Sequence, residues 1–218
     1  TINTSSRTYV AWNWAAGNSG ASNEDGTINT TTTYSDATAG ISVSTYEGTG
    51  SASTIGHGLG VAPKLIMVKN RDATDDWKVY HAAVASDPQT DYLVLNTTAA
   101  AVDDATVWND TAPTSTVFSI GTHTDVNTSG ESYVAYCFVE VEGFSKFGVY
   151  TGNESTDGPF IYTGFKPALF VSKRVDSTSD WIVWDNKRST YNVNSERLTW
   201  SSDIVEGSAN LDFLSDGV

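Results

Sequence analysis

Three histidines are the side chains best suited to acid–base or metal chemistry, but they lie in separate segments. His57 occupies the glycine-rich run 56–60, whereas His81 and His123 follow much later, and no second histidine stands at a metal-ligand spacing from any of them. A turn or strand-edge role is the favoured interpretation of His57, and a binding site is the alternative. The sequence has no Gly-x-Ser-x-Gly elbow, phosphate-binding loop or His-Glu-x-x-His motif. We therefore predict no catalytic residues, no metal ligands among the histidines and no enzymatic activity.

Clustered acidic residues are the second group that could do chemistry, as calcium ligands or as the acid and base of a glycosidase. The candidate calcium ligands form three short runs: Asp75-Asp76, Asp103-Asp104 and Asn23-Glu-Asp25. None has the spacing of an EF-hand loop, and Asp-rich hairpins need no metal. Glu140 and Glu142 are expected to mark where a strand leaves the core. The sequence thus predicts no cofactor, with calcium as the one metal that these acids would suit.

Aromatic side chains are the third group, because an exposed ring can stack on a sugar. Tyr34, Trp108 and Trp200 are the rings expected to lie outside the paired core, which makes them the candidate sugar-stacking residues. Burial in the core or in an interface is the favoured interpretation for them, and sugar stacking is the alternative. Trp77 and Trp181 occupy matching positions in an internal repeat, described below, and this predicts core packing.

The composition argues against nucleic-acid binding and membrane binding as functions of the chain. The chain of 218 residues has a formal net charge of −14 and an isoelectric point near 4.3, so it repels nucleic-acid phosphates and anionic membrane surfaces. It contains no apolar run of the length that a membrane helix needs. Its single cysteine, Cys137, lies in an apolar run and is expected to be a buried, unreactive thiol. An acidic, threonine-rich, cysteine-poor chain favours an extracellular or virion location.

An internal repeat organises the elements that position these residues. Residues 63–80 align without gaps on residues 167–184, and Tyr46 falls on Tyr150 at the same offset. A second match aligns residues 3–14 with residues 127–138 through a shared Tyr-Val-Ala-aromatic-x-aromatic pattern. Two separate matches of this density indicate a true repeat.

Each copy is typical of a series of short strands separated by turns, with no helical period. The strands of the first copy are expected at about 40–48, 52–58, 64–71, 76–84, 91–97, 116–121 and 131–141. Those of the second are expected at about 144–152, 158–163, 168–175, 180–186, 197–201 and 211–215. We predict an all-β fold of two tandem antiparallel β-sandwiches of jelly-roll or immunoglobulin-like type. Residues 40–142 form the first, residues 143–218 form the second, and residues 17–39 are a flexible linker rich in Thr, Ser and Asn.

The N-terminal segment 1–16 is out of place in this scheme. The Tyr-Val-Ala strand closes the first copy at 133–138, whereas the second copy stops at Val218 before any such strand, and an unattached version lies at residues 9–14. Alternation places Val10, Trp12 and Trp14 on one face, which should be buried. These three residues and Tyr9 are the predicted subunit-interface residues.

Three interpretations of this strand remain open. It could complete the second sandwich of a neighbouring subunit by donor-strand addition, which we favour. It could instead fold back on its own chain, with residues 17–39 providing the reach. It could also be the end of a lost domain in a longer array from which this chain was cut.

Three stretches resemble repeats of phage tail-fibre and related virion proteins, which are common in aquatic phages and environmental sequences. They are Ile55–Asn70, Trp108–Pro113 and Gly158–Phe165, of which the last lacks the His-Gly-Leu-Gly of residues 57–60. The resemblance covers nearly the whole chain and implies a structural or adhesive β-rich module with no catalytic residues to transfer.

We therefore expect a non-enzymatic structural protein that assembles head to tail into a fibre or filament, with itself as its partner. The alternative is a lectin-like adhesin that binds cell-surface glycans. Neither nucleic-acid binding nor membrane insertion is expected.

Overall fold

A computed structural model describes residues 4–17, 19–189 and 192–218. These residues form thirteen β-strands and two single-turn α-helices, and all strand pairs in the sheets are antiparallel. The predicted all-β sandwich fold is therefore confirmed. Residues 1–3 of the predicted N-terminal segment, including Asn3 of the repeat match, lie outside the described residues. Over the described ranges, no helix is both long and apolar enough to cross a membrane.

The first half of the chain forms a seven-stranded sheet and a two-stranded sheet. The elements are β1 (Thr32–Asp36), β2 (Ile41–Glu47), β3 (Ser53–Gly56), β4 (Leu65–Asn70), β5 (Lys78–His81), β6 (Asp91–Val94), β7 (Val102–Asp103), α1 (Ala105–Trp108), β8 (Val117–Ile120), α2 (Thr124–Asn127) and β9 (Ser132–Phe138). The large sheet has the order β1-β2-β9-β4-β5-β6-β7, and β3 pairs with β8. All seven strands predicted for the first copy are present, with shorter bounds.

The main hydrophobic core lies between these two sheets. Alternate residues of β9, namely Tyr133, Ala135 and Cys137, are fully buried and pack with β4 on one side of the sheet. Ile55 of β3 and Phe118 of β8 reach the same core from the facing layer. The period-two burial of β4 and β9 follows from the pleat, because successive side chains point to opposite faces. The remaining face of β9 is directed away from this core.

Strand β1 lies inside the segment predicted as a flexible linker. Thr30 and Thr33 are buried, and their hydroxyls form a chain of hydrogen bonds with Ser44 of β2 (2.9 Å for each step). The Ser44 hydroxyl in turn donates to the carbonyl of Gly56 at 3.2 Å. Threonine suits the pleated surface, and its hydroxyl is tolerated in the interior once it is paired. The Thr-rich composition that suggested a solvated linker therefore builds an edge strand.

The second half forms a four-stranded sheet. Its strands are β10 (Leu169–Lys173), β11 (Trp181–Asp185), β12 (Asn194–Thr199) and β13 (Gly207–Leu211), in the order β10-β11-β12-β13. One face of this sheet is covered by Phe213 and Val218, which pack with Trp184 and Ile161 in a small core. In the described residues this covering layer is mostly irregular rather than a second sheet.

The hairpin β10–β11 reproduces the hairpin β4–β5. Leu65 pairs with His81 and Leu169 pairs with Asp185, which is the same register at the offset of the sequence repeat. The two hairpins also pack against each other: Trp181 lies in a shared hydrophobic cluster with Val79, and its indole N–H donates to the carbonyl of Val94 at 2.8 Å. The buried position of Trp181 agrees with the predicted core packing.

Four predicted strands do not form as strands, and one of them, 211–215, keeps only Leu211 at the end of β13. Residues 144–152 and 158–163 are irregular apart from isolated bridges, and so are residues 9–14 of the N-terminal segment. The repeat aligns Tyr150 with Tyr46 of β2, and β2 pairs along its whole length with β9. Among the described residues, the second half has no counterpart of β9 in its sheet. Residues 161–163 exchange backbone hydrogen bonds with residues 216–218 over a stretch too short to form a named strand, whereas residues 144–152 have no strand neighbour among the described residues.

Candidate functional site

The open edge of β10 is the feature of the second sheet that most resembles a binding surface. The Asn186 N–H donates to the carbonyl of Ala168 at 3.0 Å, which fixes the phase of the ladder with β11. Because hydrogen-bonded and non-hydrogen-bonded pairs alternate along antiparallel strands, Leu169, Val171 and Lys173 turn their backbone N–H and C=O groups away from β11. Within the part of the chain that the structure describes, β10 has β11 as its only strand partner.

The same positions of β4 are occupied by a neighbour. β9 pairs with β4 from Leu65↔Phe138 to Asn70↔Tyr133, and just beyond it the Arg71 N–H donates to the carbonyl of Ser132 at 2.8 Å. β4 is thus an interior strand, whereas its counterpart β10 is an edge strand. An unpaired edge is a ready template for another strand.

The N-terminal segment packs against both halves of the chain without forming a named strand. Trp14 makes an edge contact with Phe138 of β9 and Trp12 makes one with Trp200, both at 6.4 Å between ring centroids. The rings of Tyr9 and Trp14 are 54% and 47% exposed, and Val10 is half-buried. The four predicted interface residues are therefore close together on an accessible segment, but not in the predicted strand.

A groove on the outer face of the large sheet runs beside this segment, and we call it the outer-face groove. It has a volume of about 300 Å³, and its largest lining residues are Trp14, Met67, Trp77, Tyr136, Phe138 and Trp200. Trp77 stacks on Tyr136 with 6.1 Å between ring centroids. The lining is almost wholly apolar, which suits protein side chains better than sugar hydroxyls, because sugars need polar groups to fix their orientation.

The predicted sugar-stacking residues do not form one site. Tyr34 is 42% exposed on β1, and half-buried Trp200 lines the outer-face groove. Trp108 is only 2% exposed, so sugar stacking is excluded for it. The carboxylate of Asp104 caps α1 by accepting from the Thr106 N–H at 2.8 Å, and this single turn directs Trp108 into the core against Tyr80. A one-turn helix leaves no periodic signal, which is why the sequence did not reveal this burial.

A polar hollow of about 450 Å³ lies where the two halves meet, and no sequence pattern predicts it. Its lining includes Glu140, Glu142, Lys146 and Tyr162. The Lys146 ammonium lies 3.8 Å from the Glu140 carboxylate, and the ring of Tyr162 is 66% exposed. Glu140 and Glu142 are exposed, as expected for residues where a strand leaves the core.

His57 is a structural residue. Its ring is buried, with Nδ1 accepting from the Leu59 N–H and Nε2 3.2 Å from the carbonyl of Thr114, an arrangement that fits the neutral imidazole. Burial lowers the pKa of His57, and burial likewise lowers the pKa of His81. His123 caps α2 by accepting from the Asp125 N–H at 3.1 Å. These geometries agree with the favoured turn or strand-edge role for His57.

Lys78 and Asp125 form an ion pair that sequence inspection missed, since 47 positions separate them (125 − 78). The Lys78 ammonium is 3.1 Å from the Asp125 carboxylate and 4.2 Å from the centre of the Tyr92 ring. The lysine side chain is only 5% exposed, so the pair ties α2 to β5 and satisfies a buried charge.

The two carboxylates of the acidic run Asp75-Asp76 accept hydrogen bonds from two different side chains. Asp75 accepts from the side-chain amide of Asn70 at 2.7 Å, and Asp76 accepts from that of Asn96 at 2.8 Å. In the described ranges, no three His, Cys, Asp or Glu side chains are grouped so that they could hold a metal ion. Cys137 is fully buried, as predicted, and burial raises its pKa to about 12.

The comparisons with known proteins place the chain in a family without adding a function. The model of the domain of unknown function DUF7483 matches residues 1–218, so the chain belongs to this family. No curated protein and no solved structure matches the chain.

Proposed function

We propose that this member of the DUF7483 family is a non-enzymatic structural module that assembles head to tail into a fibre. In this proposal, the N-terminal strand, residues 9–14, completes the second sheet of a neighbouring copy. The observation that carries it is the edge of β10, which presents backbone groups where β4 holds β9. An extracellular or virion setting, including a tail fibre, is part of the same proposal.

Backbone pairing supplies one part of the association energy. Leu169, Val171 and Lys173 each offer one N–H and one C=O to an incoming strand. Six hydrogen bonds at about 1 kcal/mol net each would contribute about 6 kcal/mol.

Burial of the tryptophans supplies the other part. Two fully buried Trp side chains would contribute roughly 10 kcal/mol at about 25 cal/mol per Å². Trp14 is 47% exposed and Trp12 is half-buried in the single chain, so about half of this, roughly 5 kcal/mol, is available for association. The sum of about 11 kcal/mol falls within the cost of association, about 4–15 kcal/mol. Assembly should therefore depend strongly on protein concentration.

The geometry of such a contact favours a fibre over a closed dimer. The donor and acceptor are different surfaces of the same chain, so each copy can give one strand and receive another. A heterologous contact of this kind builds a filament unless its rotation closes a ring.

Deletion of residues 1–16 tests the proposal. Electron microscopy and sedimentation should show filaments or oligomers for the full chain at high concentration and monomers for the shortened chain. A Tyr34→Ala variant serves as the control, because this exposed ring on β1 belongs neither to residues 9–14 nor to β10 and its loss should not affect assembly. Shortened chains that still polymerise would contradict donor-strand assembly.

A second candidate function is carbohydrate binding, and the polar hollow is the observation that favours it. The exposed ring of Tyr162 offers a stacking surface, and the carboxylates of Glu140 and Glu142 can accept hydrogen bonds from sugar hydroxyls. A glycan array should then show binding that Tyr162→Ala abolishes and Tyr34→Ala leaves intact. Absence of binding to every sugar would exclude this function.

A further inference from the structure

The large sheet contains a three-strand unit, and only part of it is present in the second half. In the large sheet β9 lies between β2 and β4, with Tyr46↔Tyr133 at one end and Ile41↔Phe138 at the other end of the β2 pairing. In the second half β10 matches β4, and the repeat aligns residues 145–150 with 41–46 of β2. The position between them, which β9 fills in the large sheet, has no strand among the described residues.

The residues that would flank this position are exposed where their counterparts are buried. Tyr150 is 46% exposed, whereas its counterpart Tyr46 is 1% exposed and stacks on Tyr133 with 5.2 Å between ring centroids. Val149 is 67% exposed on the same segment. Large apolar side chains that are exposed at a repeat position indicate a surface that is completed by another segment.

We propose that residues 9–14 of a second copy insert between β10 and residues 145–150 and that residues 145–150 become a strand when this happens. The inference rests on the proposed function and specifies which strands pair at the contact between two copies. The second sheet would then grow by two strands rather than one, to the order (145–150)-(9–14)-β10-β11-β12-β13.

The register follows from the two matches of the repeat. The pairing of Leu65 with Phe138 becomes Leu169 opposite Trp14, and the pairing of Asn70 with Tyr133 becomes Arg174 opposite Tyr9. On the other side of the inserted strand, the pairing of Tyr46 with Tyr133 becomes Tyr150 opposite Tyr9.

This register gives the aromatic side chains of residues 9–14 matching environments. Trp12 and Trp14 share a face with Val171 and Leu169, because side chains directly opposite on antiparallel strands lie on the same side. Tyr9 would stack on Tyr150 as Tyr133 stacks on Tyr46. A slip by one residue would reverse both faces, so the register is strongly specified.

A disulfide between neighbouring chains tests the register. Since Val171 directs its backbone groups to the incoming strand, Ser172 is in a non-hydrogen-bonded pair with Ala11, at about 4.5 Å between Cα atoms. This separation suits a disulfide. We would oxidise a mixture of full-length Ala11→Cys and Ser172→Cys chains and identify the product by mass spectrometry. Native Cys137 can be retained, because it is fully buried.

The matched control replaces Ser172→Cys with Arg174→Cys, which lies on the same face of β10 two residues along. We expect at least tenfold more 11–172 heterodimer than 11–174 heterodimer. Equal yields, or a dominant 11–174 link, would overturn the register. A chain carrying both Ala11→Cys and Ser172→Cys should form a ladder of multimers, and an oxidised monomer would overturn the choice of a second copy as the donor.

Hydrogen exchange tests the second half of the inference. Amides of residues 145–150 should exchange at least tenfold more slowly in the assembled protein than in the monomer, in parallel with residues 9–14. Protection of residues 9–14 alone would show that one strand is added and would overturn the ordering of residues 145–150. Filaments that form without the 11–172 disulfide would overturn the insertion of residues 9–14 beside β10 but leave head-to-tail assembly intact. The absence of both the filaments and the disulfide would overturn the insertion and the head-to-tail assembly.

Discussion

A proline at position 171 should block assembly without unfolding the chain. Val171 is the central residue of β10 whose N–H points to the open edge, and in the proposed register it donates to the carbonyl of Trp12. Proline removes this donor, and prolines are tolerated on the outer side of edge strands. The substitution leaves the ladder with β11 intact but trims the side chain that packs against the cluster of Trp181 and Val79, so the free energy of unfolding of the monomer should fall by only about 1 kcal/mol.

The effect on association can be estimated from the bond that is lost. The Trp12 carbonyl would be buried at the contact between two copies without a donor, which costs about 1–3 kcal/mol. A central value of about 2 kcal/mol corresponds to roughly 30-fold weaker association. Sedimentation over a concentration series would measure it, with Val171→Ala as the control that shortens the side chain but retains the N–H.

Ser172→Pro provides a comparison on the neighbouring residue. Ser172 pairs with Ile182 and directs its N–H into the ladder with β11, so proline there removes a ladder hydrogen bond and should destabilise the monomer by about 1–3 kcal/mol in urea unfolding. If Val171→Pro assembles at the same concentration as the native chain while folding normally, then β10 is not the acceptor and the edge-pairing argument fails.

Three further predictions concern the fold that supports this edge. The side chain of Asn127 is buried and makes four hydrogen bonds to backbone groups of Thr49, Gly50, Ser51 and Gly121. Asn127→Ala should therefore lower the free energy of unfolding by about 3–5 kcal/mol in urea titrations. A change below about 1 kcal/mol would contradict this expectation. Burial lowers the pKa of His57 and His81, so the unfolded chain binds more protons than the folded chain below about pH 6.5. The free energy of unfolding should therefore be constant above that pH and fall below it. A flat profile from pH 7.5 to about pH 5.5 would refute the lowered pKa of the two histidines. Because burial raises the pKa of Cys137 to about 12, a thiol reagent should modify it in urea but not in the native chain, which mass spectrometry can check.

Alternation and the repeat were enough to predict five of the seven strands of the large sheet, namely β2, β4, β5, β6 and β9. β2, β4 and β9 have clear period-two patterns, and the hairpin β10–β11 follows from its match to β4–β5 in the same register. The pairing of strands far apart in the chain could not be predicted, because nothing in the sequence places β9 between β2 and β4. Nor does the sequence predict that α1 lies where it buries Trp108. β1 was missed because a Thr-rich run is equally typical of a linker and of a strand whose hydroxyls are paired.

The failure of one strand prediction supports the assembly argument. Residues 145–150 match β2 in the repeat but are irregular, while Ile41 to Tyr46 form a strand along their whole length. Gly148 stands where β2 has Ser44 and weakens the strand preference, and the neighbour contributes as well, because backbone groups of an inner strand need partners on both sides. β2 has β9 as its neighbour in the large sheet, and residues 145–150 have no equivalent in the described chain. The edge of β10 presents the backbone groups that β4 gives to β9, and residues 9–14 carry the pattern of β9, so the proposed assembly would supply residues 145–150 with the partner that β2 has in the large sheet.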